Sequence, residues 1–192
     1  MRIYVFFVDI IAKRKLNKIG VTDSKLISDT SIKKLSANIK RISGPYSFNI
    51  VIINPPRYNE LYEKFGNLNK LLAWGHAKVL ENILINKNAA FAVSDKFGDE
   101  SLIINSLQEK GKRLELYQFH KAEKYTAVAA ASILARDRFN DWFEKQKAQI
   151  DIELPKGASA KVTETAKLIK KNYGDEFLRQ LTKNHFKTTR AL

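Results

Sequence analysis

The feature that most constrains the fold is the apolar run at residues 89–94, which lies between two segments of helical periodicity. A short uncharged run predicts a strand covered on both faces, as in the centre of a parallel sheet. The segment before it, 67–86, has an apolar stripe at helical spacing and Asn67 as its N-cap, so it predicts a helix. The segment 99–110 predicts a short helix that ends at Gly111. Strands that alternate with helices in this way indicate an α/β domain.

The rest of the chain continues the alternation. We predict strands at 3–11, 48–53 and 113–119, helices at 28–42, 124–147 and 159–174, a last helix from Asp175, and a basic turn at 13–20. The sequence contains no internal repeat and no flexible linker, and its length suits one well-buried domain. We therefore predict a single domain over residues 1–192.

The charge balance favours a polyanionic partner. The chain has 34 Lys and Arg against 20 Asp and Glu, a net charge of +14, and nucleic acid is the first candidate for such a surface. A lysine-rich bias of the source proteome is the alternative. Cysteine is absent, which excludes disulfides and thiolate metal sites and fits a reducing cytoplasm. No apolar run approaches the ~20 residues that a bilayer requires, so we expect no membrane partner. We also expect a monomer in the cytoplasm.

Two acidic residues follow predicted strands. Asp95 comes directly after the run 89–94, and Glu123 follows the strand 113–119. Open α/β sheets bind ligands at the carboxyl ends of their strands, so these carboxylates are expected at the same edge. A pair of carboxylates can hold a hard cation such as Mg²⁺ or Mn²⁺.

Several segments, in order along the chain, carry motifs of a known family. They read G-V-T-D-S-K at 20–25, N-L-N at 67–69, L-L-A-W-G-H at 71–76, S-D-K-F at 94–97, K-A-E at 121–123, A-A-A-S-I at 129–133, L-P-K-G-A-S at 154–159 and K-N-H-F-K at 183–187. Together they resemble the type 2 ribonucleases H, in particular the ribonuclease HIII branch.

The resemblance implies a ribonuclease H-like fold, in which helices flank a mixed central sheet. It also implies an endonuclease that hydrolyses the RNA strand of an RNA/DNA hybrid with the help of Mg²⁺ or Mn²⁺. The third and fourth acidic residues of the family fall on Asp95 and Glu123, which would be catalytic residues and metal ligands. In that family two metal ions flank the scissile phosphate.

The chain departs from the family at one element. The family's D-E-x-G-[KR]-G segment, which ends the first and central strand and supplies two further carboxylates, has no counterpart here. The Asp-Glu pairs at 99–100 and 175–176 lie at predicted helix starts, and we interpret Asp9 as a solvated turn acid rather than a replacement ligand. We expect a sheet without its first strand, explained by a truncated or split gene or a late start, and at most one weakly bound metal ion.

The resemblance also assigns candidate nucleic-acid contacts: Asp23, Ser24, Lys25, Lys121, Ser132, Lys156 and Lys183. Lysine and serine side chains commonly bind phosphate oxygens. For Ser132 a bond to its own helix backbone is an equal alternative. We interpret His76 as structural, and for His185 we favour packing in the C-terminal core over proton transfer. Tyr and Phe fall mainly on predicted core positions, so no stacking platform is predicted.

Two other functions stay open. A catalytically impaired fragment would bind nucleic acid through its basic surface without cleaving it. A basic structural protein of a ribonucleoprotein particle would show no metal dependence and would tolerate Glu123→Gln.

Overall fold

The computed structural model describes residues 1–190. Its strands are β1 (Arg2–Phe6), β2 (Phe48–Ile52), β3 (Phe91–Asp95) and β4 (Glu115–Phe119). Its α-helices are α1 (Ile10–Lys18), α2 (Asp29–Ser43), α3 (Pro55–Phe65), α4 (Leu68–Ile83), α5 (Ser101–Ser106), α6 (Thr126–Ile150), α7 (Ala160–Leu181) and α8 (Lys187–Arg190). Among these elements no helix is both long and apolar enough to cross a bilayer. The predicted α/β class is confirmed.

The chain divides into two compact units. The larger unit consists of Arg2–Ile52 and Asn69–Asn140, and the smaller consists of Met1, Ile53–Leu68 and the chain from Asp141 onward. Each is described by itself below. The single domain over residues 1–192 stays a prediction.

The strands of the larger unit form two separate pairs. β1 runs antiparallel to β2, with Arg2 opposite Ile52, and β3 runs parallel to β4, with Asp95 opposite Phe119. Within residues 1–190 each pair is a two-stranded sheet of its own. Both strand directions of the predicted mixed sheet occur, but in two separate two-stranded sheets rather than in one.

Both strand pairs pack on one layer of helices. A buried cluster joins Ala73, Ala77 and Leu80 of α4 to Ile103 of α5 and to Leu107. Val5 of β1 and Ala92 of β3 both contact this cluster. A second cluster, on α1, α2 and α6, includes Phe6 of β1. β1 is therefore covered on both faces, as an apolar central strand requires.

The smaller unit is built around α3 and α7. Ile150, Ala166, Ile169 and Leu178 form its core. Asn59 of α3 donates to the Thr182 carbonyl (3.1 Å) and accepts from the Asn184 amide (3.0 Å), so it ties the chain after α7 to α3. The predicted break at Gly174 is confirmed as a kink within α7, because this glycine has φ of 85°.

The predicted strand 3–11 is wrong beyond Phe6, and the predicted turn at 13–20 is wrong because most of it is helix α1. The Asp9 side chain caps this helix by accepting from the Ala12 amide at 2.7 Å. The helix buries Leu16 and leaves Ile10 and Ile11 exposed. Ile10 and Ile11 are β-branched and follow a strand, so their composition favoured a longer strand. The capping bond from Asp9 outweighed this local preference.

Two other predictions also need correction. No helix is predicted between the strand 48–53 and the segment 67–86, yet α3 lies there and begins with two prolines. Proline is well accommodated in the first turn of a helix. β3 was expected to be covered on both faces, yet Phe91 is 60% exposed. Among residues 1–190 this strand has one neighbouring strand, so its burial is incomplete.

A buried carboxylate holds the connection before β4. Glu81 of α4 accepts from the backbone amides of Gln108 (2.8 Å), Lys110 (3.1 Å) and Gly111 (2.7 Å). A Cβ on Gly111 would lie 2.6 Å from a Glu81 oxygen, so only glycine fits there. These bonds set the point at which β4 begins.

We expect Glu81→Gln to lower the free energy of unfolding by about 2 kcal/mol, since bonds to a charged acceptor are the strong ones and an amide NH₂ would face an N–H donor. Urea denaturation measures the change. The exposed Glu144→Gln is the matched control and should stay within about 0.5 kcal/mol of the parent. Equal stability of the two variants would contradict the role of Glu81.

Candidate active site

The two predicted acids lie at the same edge of the larger unit. Asp95 is the last residue of β3, and its Oδ1 accepts from the backbone amide of Ala122 at 3.1 Å. Glu123 follows Ala122 in a short 3₁₀ turn, Ala122–Lys124, just after β4. Because β3 and β4 are parallel, their carboxyl ends meet at one edge and place both acids there.

A lysine from another part of the chain reaches this edge. The Lys25 ammonium lies 3.5 Å from Glu123 Oε1, with side chains 79% and 22% exposed, respectively. Lys25 belongs to a 3₁₀ turn, Ser24–Leu26, which Asp23 caps by accepting from the Lys25 amide at 2.9 Å. The predicted D-S-K segment and the predicted acid Glu123 are thus in contact.

Helix α6 holds the D-S-K turn in place. The hydroxyls of Ser24 and Ser132 are 2.7 Å apart and hydrogen-bonded, so Ser132 bonds a side chain rather than its own helix backbone. Arg136, one turn further, donates to Asp29 Oδ1 from Nη2 (2.7 Å) and Nε (3.1 Å) and also donates to the Ser24 carbonyl. The planar guanidinium suits this forked contact, which a lysine could not reproduce.

Two of the predicted contacts lie in the smaller unit. Lys183 Nζ is 4.4 Å from the centroid of the Tyr58 ring, and the exposed Lys156 is 5.7 Å from that of Phe143. The His185 ring stacks on Tyr62 with centroids 4.0 Å apart. Burial first, then the Lys183 and Arg190 charges, lower the pKa of His185. This environment agrees with the packing role that we predicted for His185.

Comparison with known proteins decides the family. The family model described as Ribonuclease HII matches residues 1–189. The chain belongs to the ribonuclease HII family. The resemblance inferred from the ordered motifs is therefore confirmed.

Curated relatives of this ribonuclease HII family member are named ribonuclease HIII. That of Protochlamydia amoebophila (strain UWE25) is 43% identical over 178 residues, which cover 93% of this chain and 58% of the relative. That of Chlamydia trachomatis serovar L2 is 41% identical, with 90% of this chain and 57% of the relative covered. The chain thus spans less than two thirds of the length of these relatives.

Solved structures share the fold. Bst-RNase HIII in complex with Mn²⁺ matches with a TM-score of 0.88 and 28% identity, over 98% of this chain and 62% of that one. RNase H3 of Aquifex aeolicus matches with a TM-score of 0.73 and 25% identity, over 95% and 67% of the two chains. The ribonuclease H-like fold is therefore confirmed.

In this family member the β3–β4 pair brings Asp95 and the turn that bears Glu123 to its carboxyl edge. Within residues 1–190, no three Asp, Glu or His side chains form a group that could hold a metal ion. Asp95 and Glu123 remain as neighbouring carboxylates, a donor type that suits Mg²⁺ or Mn²⁺. Asp9 is engaged as the cap of α1.

Two features near the site were not predicted from the sequence. The role of Arg136 depends on contacts with the distant Asp29 and Ser24, which no local pattern reveals. Phe91, Tyr117 and Phe119 form an exposed aromatic row, although we expected aromatic residues in the core. The alternation of exposed and half-buried residues along β4 was the signal available for that row.

His76 of α4 also faces the site. Its ring stacks on Phe97 with centroids 5.2 Å apart, two residues beyond Asp95. Burial lowers the pKa of His76 from 6.5 to about 4, and the Asp95 charge opposes that shift in part. His76 is therefore neutral at pH 7, and protonating it would place a cation in the core.

The lowered pKa of His76 predicts a loss of stability in acid. The unfolded chain binds a proton below pH 6.5 and the folded chain only near pH 4, so the contribution of His76 is complete above pH 6.5 and falls through that window. We expect about 3 kcal/mol to be lost between these limits. His76→Phe should flatten this part of the pH profile in urea denaturation, whereas the exposed His120→Phe should leave it unchanged. Identical profiles for both variants would contradict the assignment.

Proposed function

We propose that this chain is the catalytic portion of a ribonuclease H-type endonuclease. It would cleave the RNA strand of RNA/DNA hybrids by divalent-metal-assisted hydrolysis, as its relatives' names suggest. The observation that carries this proposal is the contact of Asp95 with the turn that bears Glu123, at the carboxyl edge of a parallel strand pair. The chain spans only part of the length of those relatives, so the activity of the whole protein is also a proposal.

We infer that Asp95 and Glu123 hold one Mg²⁺ or Mn²⁺ ion, whose remaining ligands would be water and a phosphate oxygen. When bound, such an ion polarises the phosphate and activates water. Without it, Lys25 partly neutralises Glu123. With an ion held by Glu123, Lys25 would leave this contact, and its ammonium would be available to a phosphate. The chain's own residues would then bind and orient the nucleic acid at this edge.

The nucleic-acid interface would centre on the D-S-K turn. Lys25 and Lys121 are exposed beside Glu123 and can neutralise phosphates. Ser24 is only 6% exposed and its hydroxyl bonds that of Ser132, so a phosphate contact through either hydroxyl requires this bond to open. A backbone contact at the turn, near Asp23, requires no such change. Lys156 and Lys183 of the smaller unit stay predicted contacts.

A second candidate is a fragment that binds nucleic acid without efficient cleavage. One observation favours it. Within residues 1–190, no further Asp, Glu or His joins Asp95 and Glu123 to form a group of three possible metal ligands. Two carboxylates carry less negative charge than a pair of divalent ions requires, and dications about 4 Å apart repel each other strongly. A monomer in the cytoplasm remains our prediction for either candidate.

A labelled RNA/DNA hybrid, incubated with the chain and Mg²⁺ or Mn²⁺, tests the proposal. We expect cleavage of the RNA strand to 5′-phosphate and 3′-hydroxyl ends. Asp95→Asn should slow it more than about 100-fold, since losing a metal ligand costs more than losing a residue that supports one. The rate of product formation measures the change.

Asp99→Asn is the matched control, because Asp99 is exposed at the start of α5 and asparagine also caps a helix well. It should cleave like the parent chain. Binding of the hybrid without cleavage would favour the second candidate. Cleavage that survives both Asp95→Asn and Glu123→Gln would contradict the proposed site.

Calorimetric titration with Mn²⁺ addresses the number of ions. We expect one weak site that Asp95→Asn removes. Lys25→Gln should tighten it a few-fold, because a competing positive charge near Glu123 is worth about 1 kcal/mol in a water-like dielectric. Lys33→Gln, an exposed position on α2, is the control for net charge and should have no effect. Two tight sites in the parent chain would contradict this part of the proposal.

A further inference from the structure

The aromatic row of Phe91, Tyr117 and Phe119 lies on the face of the β3–β4 pair that is turned away from α4 and α5. Residues of the opposite face, Ala92 and Leu116, pack on the cluster that those helices form. Side chains alternate between the two faces of a sheet, so the odd-numbered residues of both strands share the other face. The three rings are 60%, 44% and 38% exposed, respectively. A contiguous exposed patch of large apolar side chains commonly marks an interaction site.

The spacing of the rings suits an extended chain of planar groups. Ring centroids lie 6.2 Å apart from Phe91 to Tyr117 and 6.3 Å apart from Tyr117 to Phe119. The Tyr125 ring follows 5.5 Å beyond Phe119. Neighbouring nucleotides of one duplex strand are only ~3.4 Å apart along the helix axis. The row therefore fits the bases of an unpaired, extended strand better than those of a duplex.

Basic side chains flank the row at both ends of β4. The Lys124 ammonium lies 5.7 Å from the centroid of the Phe119 ring and 5.3 Å from that of Tyr125. Further exposed basic residues precede and follow the strand: Lys112, Arg113 and Lys121. Positive charge beside accessible rings suits a ligand that combines bases with phosphates. It disfavours a second copy of this chain, which would bring another net charge of +14 to the same surface.

We propose that the aromatic row binds the unpaired bases of a single-stranded nucleic acid. Stacking of bases on aromatic side chains tolerates any sequence, because every base has a π face. Phe119 lies opposite Asp95 in the strand register, so the row begins at the candidate active site and leads away from it. A hydrogen bond of 2.6 Å from the Tyr117 hydroxyl to Glu115 keeps the middle ring along the strand. The inference goes beyond the proposed function, because a single strand can bind here whether or not a hybrid is cleaved.

Fluorescence anisotropy with the full chain tests the proposal, in EDTA so that no divalent ion is bound. The probe is a labelled oligothymidylate of about eight nucleotides, and its control is an abasic oligonucleotide of the same length. Both carry the same phosphates, so only the bases distinguish them. The parent chain should bind the oligothymidylate at least about fivefold more tightly than the abasic strand, which is the smallest effect expected from one stacked base.

Variants that lack one ring provide the second arm. Phe119→Leu removes a ring but keeps an apolar side chain, and Tyr117→Leu repeats the change at a second position. Each should weaken binding of the oligothymidylate at least about fivefold and leave binding of the abasic strand unchanged. Phe139→Leu is the matched control, because Phe139 is 41% exposed on α6, outside the row, and should bind like the parent. Circular dichroism checks that each variant is folded.

Three results would overturn the proposal. Equal affinity of the parent for the two oligonucleotides would mean that the chain contacts phosphates alone. Parent-like binding by both Phe119→Leu and Tyr117→Leu would mean that the bases bind elsewhere. Sedimentation as a dimer that Phe119→Leu dissociates would mean that a second copy covers the row. None of these measurements depends on cleavage, so the proposed function is tested separately.

Discussion

The parallel pairing of β3 with β4 is the constraint on which the candidate site depends. Asp95 and Glu123 are far apart in the chain, and neither is held by its immediate sequence neighbours alone. The backbone ladder brings the two strand ends to one edge, and the bond from the Ala122 amide to Asp95 then fixes the turn that carries Glu123. Any change that shifts the register of β4 would move Glu123 away from Asp95.

The site combines two acidic residues with the ammonium group of Lys25, which comes from a distant part of the chain. In a chain of net charge +14, the carboxylates are held within a basic surface that attracts phosphates. Lys25 contacts Glu123 because α6 holds the preceding turn through Ser132 and Arg136. An ion pair whose lysine is 79% exposed contributes little to stability. In a nuclease this ion pair would instead keep the Lys25 ammonium at the site, where it can leave the Glu123 carboxylate and bind a phosphate.

The stability of the two strand pairs depends on the helices that they pack against. Isolated two-stranded sheets are marginal, and these two persist because Val5 and Ala92 pack on the same layer of helices. Among residues 1–190, β3 has β4 as its one neighbouring strand. Its apolar run suits a covered position, yet Phe91 is left exposed.

The sequence by itself determined the α/β class, the family and the two acids, because apolar periodicity and ordered motifs are local properties. Helix α2 and the break at Gly174 followed from capping and glycine chemistry. Only the tertiary structure decided that Ile10 begins a helix, where a capping bond overrode β-branched composition. Only it revealed the Arg136 contacts and the partner of Ser132, since both join segments about a hundred residues apart. Long-range hydrogen bonds of this kind have no signature in a local pattern, because geometry alone decides which donors and acceptors meet.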